Sequence, residues 1–266
     1  LVWIDNKAMV ERNGKQEAVT VGAIEKMSKS KRNTVDPTAI IDQYGADTAR
    51  WFMLSDSPPE RDVQWTEEGV EGAWRFSQRF WRIVQTSLPQ LSAPMADKPV
   101  LDAKSEELQR TVHKTLAALT ADLSQLGFNR AVARIYELAN AISAFTETGE
   151  AANWVRRQAV EYLVQMAAPM MPHLAEECWA SLGHKTLVAA TPWPVADETL
   201  LVEHSVTIAV QVNGKRRDEI TVAIDADKET VEQTALAQEK VQHAIGTASV
   251  RKVIVVPGKI VNIVAK

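Results

Sequence analysis

The chain has 266 residues, 45% hydrophobic and 24% charged, the balance of an ordinary soluble protein with enough length to bury cores in about two domains. No apolar stretch approaches the roughly 20 residues of a bilayer-spanning helix, and a single cysteine, Cys178, excludes an internal disulfide and a Cys-rich zinc site and suits a reducing cytoplasm. A net charge of −4 excludes a uniformly basic nucleic-acid binder, yet cations cluster at Lys26, Lys29, Lys31 and Arg32, at Lys215, Arg216 and Arg217, and at Arg251 and Lys252, which keeps RNA open.

The first residue is Leu1, not Met, and residues 1–4 lack the segments of a signal peptide, so the chain is expected to start partway into a longer polypeptide. Asn13-Gly14 lies between mixed runs at 8–12 and 15–21 and predicts a hairpin, because a type I′ turn needs positive φ at both central residues. Residues 22–35 read as a Lys- and Ser-rich loop. Asp36-Pro37 then supplies an N-cap and a preferred first helical residue for a helix to Tyr44, closed by Gly45. A second short helix is predicted over 47–54, before the Pro58-Pro59 turn.

From about residue 67 the period is helical, with Val70, Trp74, Trp81 and Val84 near one stripe and Arg75, Arg79 and Arg82 on a neighbouring face. Three prolines mark 89–99 as a linker. Leu108, Val112, Leu116, Leu119, Leu123 and Leu126 step by three or four, with Gly127 expected at the C′ position. Asn129 is expected to cap a helix carrying Val132, Ile135, Leu138, Ile142 and Phe145 and ending at Gly149. A further helix bears Val155, Tyr162, Leu163 and Met166 and breaks at Pro169, and Pro172 opens a short one to Leu182. This middle region reads as a helix bundle.

The period then changes to two. Val206, Ile208, Val210 and Val212 alternate, Asn213-Gly214 turns the chain, and Ile220, Val222 and Ile224 alternate again. One helix over 228–245, capped by Asp227, and strands at 253–256 and 260–264 around Pro257-Gly258 complete a small β-β-α-β-β domain. Thr191-Pro192-Trp193-Pro194 joins it to the bundle. The expected architecture is therefore multi-domain and mainly α, with segments at 1–35, 36–65, 66–190 and 191–266.

Chemistry concentrates in Lys26-Met27-Ser28-Lys29-Ser30. Two ammonium groups three residues apart, separated by a small hydroxyl residue, suit a flexible clamp on a polyphosphate. Positive charge placed where negative charge develops is a strong catalytic device. Alone, such a run also reads as a solvated basic loop.

It is not alone. The segment 26–33 resembles the second signature of class I aminoacyl-tRNA synthetases, KMSKS. Asp36-Pro37, Tyr44-Gly45-Ala46-Asp47, Arg50-Trp51-Phe52, residues 168–179 and Trp193-Pro194 resemble later segments of the same class. Residues 210–215 and 250–259 are similar to the small final domain of the bacterial leucyl branch. The resemblance covers essentially the whole chain. It implies an anticodon-binding-type bundle, ATP as substrate with Mg2+ accompanying it, no structural zinc, a cytoplasmic setting, and tRNA(Leu) as partner with no membrane or DNA partner. Leucine and ATP would be held largely by a catalytic domain outside this chain. It assigns Lys26 and Lys29 to ATP's phosphates, Met27, Ser28 and Ser30 to the ATP-binding loop, and Arg32 and Asn33 to loop support. A His-containing first signature and an editing domain are not found, so this polypeptide alone is expected not to aminoacylate. Valyl, isoleucyl or methionyl members and a non-catalytic tRNA-binding subunit are the alternatives.

The remaining cations divide between two readings. Arg75, Arg79 and Arg82 are a solvated helix face or phosphate contacts. Lys215, Arg216 and Arg217, with Asp218 and Glu219 beside them, and Arg251 and Lys252 are solubilising tips or an RNA surface. Trp74, Trp81, Trp154 and Trp179 are expected in the core rather than stacked on bases, and His173 is expected to be structural.

Overall fold

The computed structural model describes residues 2–4, 7–12, 14–20, 22–202 and 205–266. The chain divides into two compact units, residues 1–46 and residues 47–266. In the first, β1 (Val2–Ile4), β2 (Lys7–Arg12) and β3 (Lys15–Val19) form an antiparallel sheet, with Arg12 opposite Lys15. Asn13 of the expected turn and Val21 of the following run lie outside the described residues. A loop leads to α1 (Pro37–Tyr44), where the Asp36 carboxylate accepts from Thr38 N–H and Gly45 closes the last turn at φ 88°.

The second unit opens within α2 (Ala46–Ser55), at Asp47. Trp51 is fully buried, stacked on Phe76 at 4.9 Å and donating its indole N–H to the Tyr136 hydroxyl. Five helices follow: α3 (Glu67–Ser87), α4 (Ala103–Ser124), α5 (Phe128–Ala144), α6 (Glu150–Ala167) and α7 (Pro172–Ser181). Gly69 is required at the start of α3, because a Cβ there would stand 2.5 Å from the Phe52 ring. Leu116, Leu119, Ile135, Leu138, Leu163 and Met166 form the fully buried centre. Each such side chain contributes about 1.5–3 kcal/mol relative to exposure.

The core face of α3 is Val70, Ala73, Phe76, Ser77, Phe80 and Val84, which corrects the expected Trp stripe. Trp74 is 41% exposed, Trp81 and Trp154 are half-buried, and only Trp179 of the four expected core tryptophans is buried. Small Ala73 and Ser77 let the phenylalanines pack closely, and the Ser77 hydroxyl is satisfied by the Ala73 carbonyl. The proline-rich connection is docked, not loose. Ser92 N–H meets the Asn153 carbonyl, the Trp154 indole donates to Ala96 O, and Lys98 reaches Gln109.

Helix ends depart from expectation at two glycines. At the end of α4 the left-handed residue is Leu126 (φ 56°), and Gly127 N–H reaches Asp122 O across it. Gly127 instead caps α5, with the Arg130 guanidinium lying where its Cβ would be, and Asn129 falls inside that helix. Gly149 (φ 105°) starts α6 rather than ending α5.

The last domain is a four-stranded sheet in the order β5-β4-β7-β6, with β4 (Ser205–Val212) parallel to β7 (Ile260–Ala265) and β5 (Lys215–Ala223) and β6 (Val250–Val256) at the edges. Asn213 (φ 50°) and Gly214 (φ 78°) make the expected turn, with the positive φ of type I′ at both residues. The Asn213 amide pairs with both main-chain groups of Ala265, extending the sheet past its last strand residue. The expected single helix is two, α8 (Lys228–Leu236) and α9 (Glu239–Ile245). At 100° per residue Val241 would point about 80° away from Val231 on one straight helix, and the break lets both bury on the sheet.

Candidate functional site

The basic loop after β3 is tied by its own polar side chains. Asn33 Oδ1 accepts from Ser28 N–H at 2.8 Å, and its Nδ2 donates to the Lys26 carbonyl at 3.4 Å. Ser28 and Ser30 hydroxyls lie 3.2 Å apart, and Ser28 Oγ also takes the Lys31 N–H. Arg32 N–H closes on Lys29 O with φ 53°, so the chain reverses immediately after Ser30. Asn33 and the two serines therefore build the loop.

The charges sort themselves. Lys31 is neutralised by Glu25 at 2.8 Å. Lys26 and Lys29 are exposed and carry no ion pair among the described residues, so both ammonium groups face solvent ready for an anion. Met27, 43% exposed, leaves an apolar side chain between them.

Two other motif segments lock together in the second unit. The Asp47 carboxylate takes Leu174 N–H at 2.6 Å and meets His173 Nδ1 at 2.9 Å, capping α7. Arg50 donates to the Pro169 and Met170 carbonyls at 2.8 and 3.2 Å. His173 thus serves a helix cap.

The expected RNA-facing cations are dispersed. Arg75 pairs with Glu71, Arg79 donates to Ala139 O and Ser143, and the Arg82 guanidinium has no hydrogen bond or ion pair among the described residues. Arg79 and Arg82 line one cleft together with Arg156, a residue the sequence reading missed. Arg156 sits on the buried face of α6 with Ala152, Val155 and Ala159, and a cation on an apolar stripe is the signal that could have found it. In the last domain Arg216 pairs with Glu219, and Asp218 with Lys240, which leaves Lys215 and Arg217 unpaired among the described residues. Arg217 and Arg251 both occupy the unpaired position of a β-bulge, one on each edge strand. Bulges re-aim side chains, and Lys252 beside the second is exposed.

Among the described residues no group of three or more His, Cys, Asp or Glu is arranged to hold a metal ion. No described helix is long and apolar enough to cross a membrane.

Two protein-family models match: tRNA synthetases class I (I, L, M and V) over residues 18–66, and the anticodon-binding domain of tRNA ligase over residues 106–233. The leucine–tRNA ligase of Parvibaculum lavamentivorans is 60% identical over 262 residues, 98% of this chain and 30% of that protein. That of Bartonella bacilliformis is 50% identical, covering 98% of this chain and 31% of its own. The chain therefore spans about 30% of the length of the curated relatives it matches. A leucyl-tRNA synthetase of Agrobacterium radiobacter K84, solved in a ternary complex with tRNA and LeuAMS, superposes with TM-score 0.70 at 28% identity over 91% of this chain and 32% of that one.

Proposed function

We propose that this chain, which belongs to the leucine–tRNA ligase family of class I tRNA synthetases, serves the ATP-dependent joining of leucine to tRNA(Leu) in the cytoplasm. Its part is a phosphate-binding loop and a set of tRNA-binding surfaces. The observation that carries the reading is the loop: of its three lysines, one is neutralised by Glu25, while Lys26 and Lys29 carry no ion pair among the described residues, on a frame made by Asn33. In activation, the leucine carboxylate attacks the α-phosphorus of ATP and pyrophosphate leaves. Lys26 and Lys29 stabilise the charge that builds on the leaving phosphates, together with Mg2+ carried in by ATP. Ser28 and Ser30 shape the loop around Met27, which completes its ATP-facing surface.

Segment 1–35 then belongs to the catalytic domain, 36–65 connects it to the bundle of 66–190, and 191–266 is a separate tRNA-binding domain. Arg75, Arg79 and Arg82 on α3, and Lys215, Arg216, Arg217, Arg251 and Lys252 on the terminal sheet, contact RNA phosphates. The relatives favour leucine over valine, isoleucine or methionine, since the matched chains are leucine–tRNA ligases. Lys29→Ala in the full-length enzyme is expected to lower the rate of leucine-dependent ATP–pyrophosphate exchange far more than leucine affinity. Exchange kinetics at the wild-type level would overturn the assignment.

A further inference from the structure

The cleft between α3 and the end of α5 encloses about 410 Å³ and carries three guanidiniums, those of Arg79, Arg82 and Arg156. Among the described residues no acidic side chain lines it. The nearest acid in sequence, Glu147, gives its main-chain oxygen to Arg156 at 2.6 Å and its carboxylate to Lys104 at 2.6 Å.

Arg156 is the unusual member. It is 4% exposed and has no ion pair among the described residues. Its Nη atoms donate to the Gln90, Phe145 and Glu147 carbonyls, and the Phe145 ring lies 5.1 Å from its guanidinium carbon. Neutral carbonyls satisfy hydrogens without cancelling charge. A guanidinium has five donors, and a buried cation without a counter-charge is costly. Burial indeed lowers its pKa. An anion in the adjoining cleft would supply the missing charge. Arg79 anchors to Ala139 O and Ser143 through Nη2 alone, and the Arg82 guanidinium is unpaired among the described residues, so both have donors left for the same guest. Thr86, Ser87 and Ser143 also line the wall, but their hydroxyls donate to helix carbonyls, which leaves the anion to the guanidiniums.

We propose that this cleft is a phosphate-binding site built on Arg156, with Arg79 and Arg82 closing on a phosphodiester of the RNA partner. The inference rests on the tRNA reading above and deepens it by naming the anchoring group. RNA is favoured over a free phosphate because Arg79 and Arg82 continue along the α3 face that also carries Arg75, itself paired with Glu71, and a row of cations matches a chain of charges better than a single ion.

The test is equilibrium binding of tRNA(Leu) across a salt series without ATP, so its outcome is separate from that of the pyrophosphate-exchange test of the loop. Arg82→Ala is expected to weaken binding about five- to tenfold and to lower the slope of log K against log salt by about 1, while Arg82→Lys keeps the slope. Arg156→Met is the sharper variant. If it fails to fold, Arg79→Ala stands in for it, with the same expected loss. Wild-type affinity and slope in Arg82→Ala and Arg79→Ala would overturn the proposal. So would inorganic pyrophosphate binding that Arg82→Ala abolishes while tRNA binding is unchanged, which would give the cleft to a small phosphate instead.

Discussion

Asn33→Ala tests whether the loop's shape, and not only its charge, supports activation. The side chain makes two bonds across the signature, one to Ser28 N–H at 2.8 Å and one to Lys26 O at 3.4 Å. A net hydrogen bond contributes about 0.5–1.5 kcal/mol, and the longer, exposed one belongs at the bottom of that range. Their joint loss, about 1–1.4 kcal/mol, lowers the population of the loop shape roughly five- to tenfold. Leucine-dependent ATP–pyrophosphate exchange in the full-length enzyme should fall by that factor, with the leucine KM unchanged. Asn33→Asp keeps the acceptor for Ser28 and loses the donor to Lys26, so it should fall between the two. Because both ammonium groups remain, the loss should stay well below that of Lys29→Ala. An Asn33→Ala enzyme with wild-type exchange and wild-type ATP KM would refute the reasoning.

Three further outcomes follow from the second unit. Asp122→Asn removes one partly buried carboxylate from Arg130 and Arg134 and should cost about 2 kcal/mol, seen as a lower urea midpoint at constant m. Burial pushes the Asp122 carboxyl up, but the two guanidiniums outweigh it and hold its pKa below the ordinary 3.8, so this stability is present above that value and is lost as pH falls through the depressed one. Burial lowers the pKa of His113 against the opposing pull of Gln158 and Asp197, and its neutral Nδ1 accepts Asp197 N–H. The unfolded ring takes up a proton near 6.5, so melting temperature should drop as pH falls below that value, and the drop should flatten in His113→Gln. The Cys178 thiol, pushed up to about 12 by burial and by Glu177, should resist a disulfide reagent at pH 8 until the chain unfolds; fast labelling of folded protein would contradict that.

Local chemistry explains what was legible in the residues. Asp36-Pro37 and Asn213-Gly214 each carry their conformational reason in two adjacent side chains, and both appear where their chemistry requires. The Leu108, Val112, Leu116 and Leu119 stripe is buried because helical spacing alone defines a face. The α3 face was misread because bulk was weighed above position: Trp74 and Trp81 are the largest apolar groups, yet the core side holds Ala73 and Ser77, which no hydrophobicity pattern marks. Leu126 in the left-handed region is similarly invisible, since glycine at the next position is the ordinary signal. The break between α8 and α9 answers to the sheet beneath, which only the fold supplies.

Long-range partners are the remaining blind spot, and they change what the signature segments mean. Asp47 and Arg50 belong to one segment of the class resemblance and Pro169 to Leu174 to another, and 119 to 127 residues separate the bonded partners. Their joining is architectural. An acidic cap and a guanidinium on two main-chain carbonyls bind α2 to the start of α7, while Trp51 one residue on is buried against Phe76. A cap of this kind contributes about 1 kcal/mol and also fixes an angle, because Leu174 N–H and His173 Nδ1 take different oxygens of the same carboxylate. Substitution there would thus be expected to act on folding stability first. In the basic loop, where the Lys26 and Lys29 ammonium groups have no ion pair among the described residues, it would act on the rate alone. Residues that resemble the class equally well along the chain divide into these two kinds by one physical criterion, whether their charged and polar groups are already satisfied within the protein.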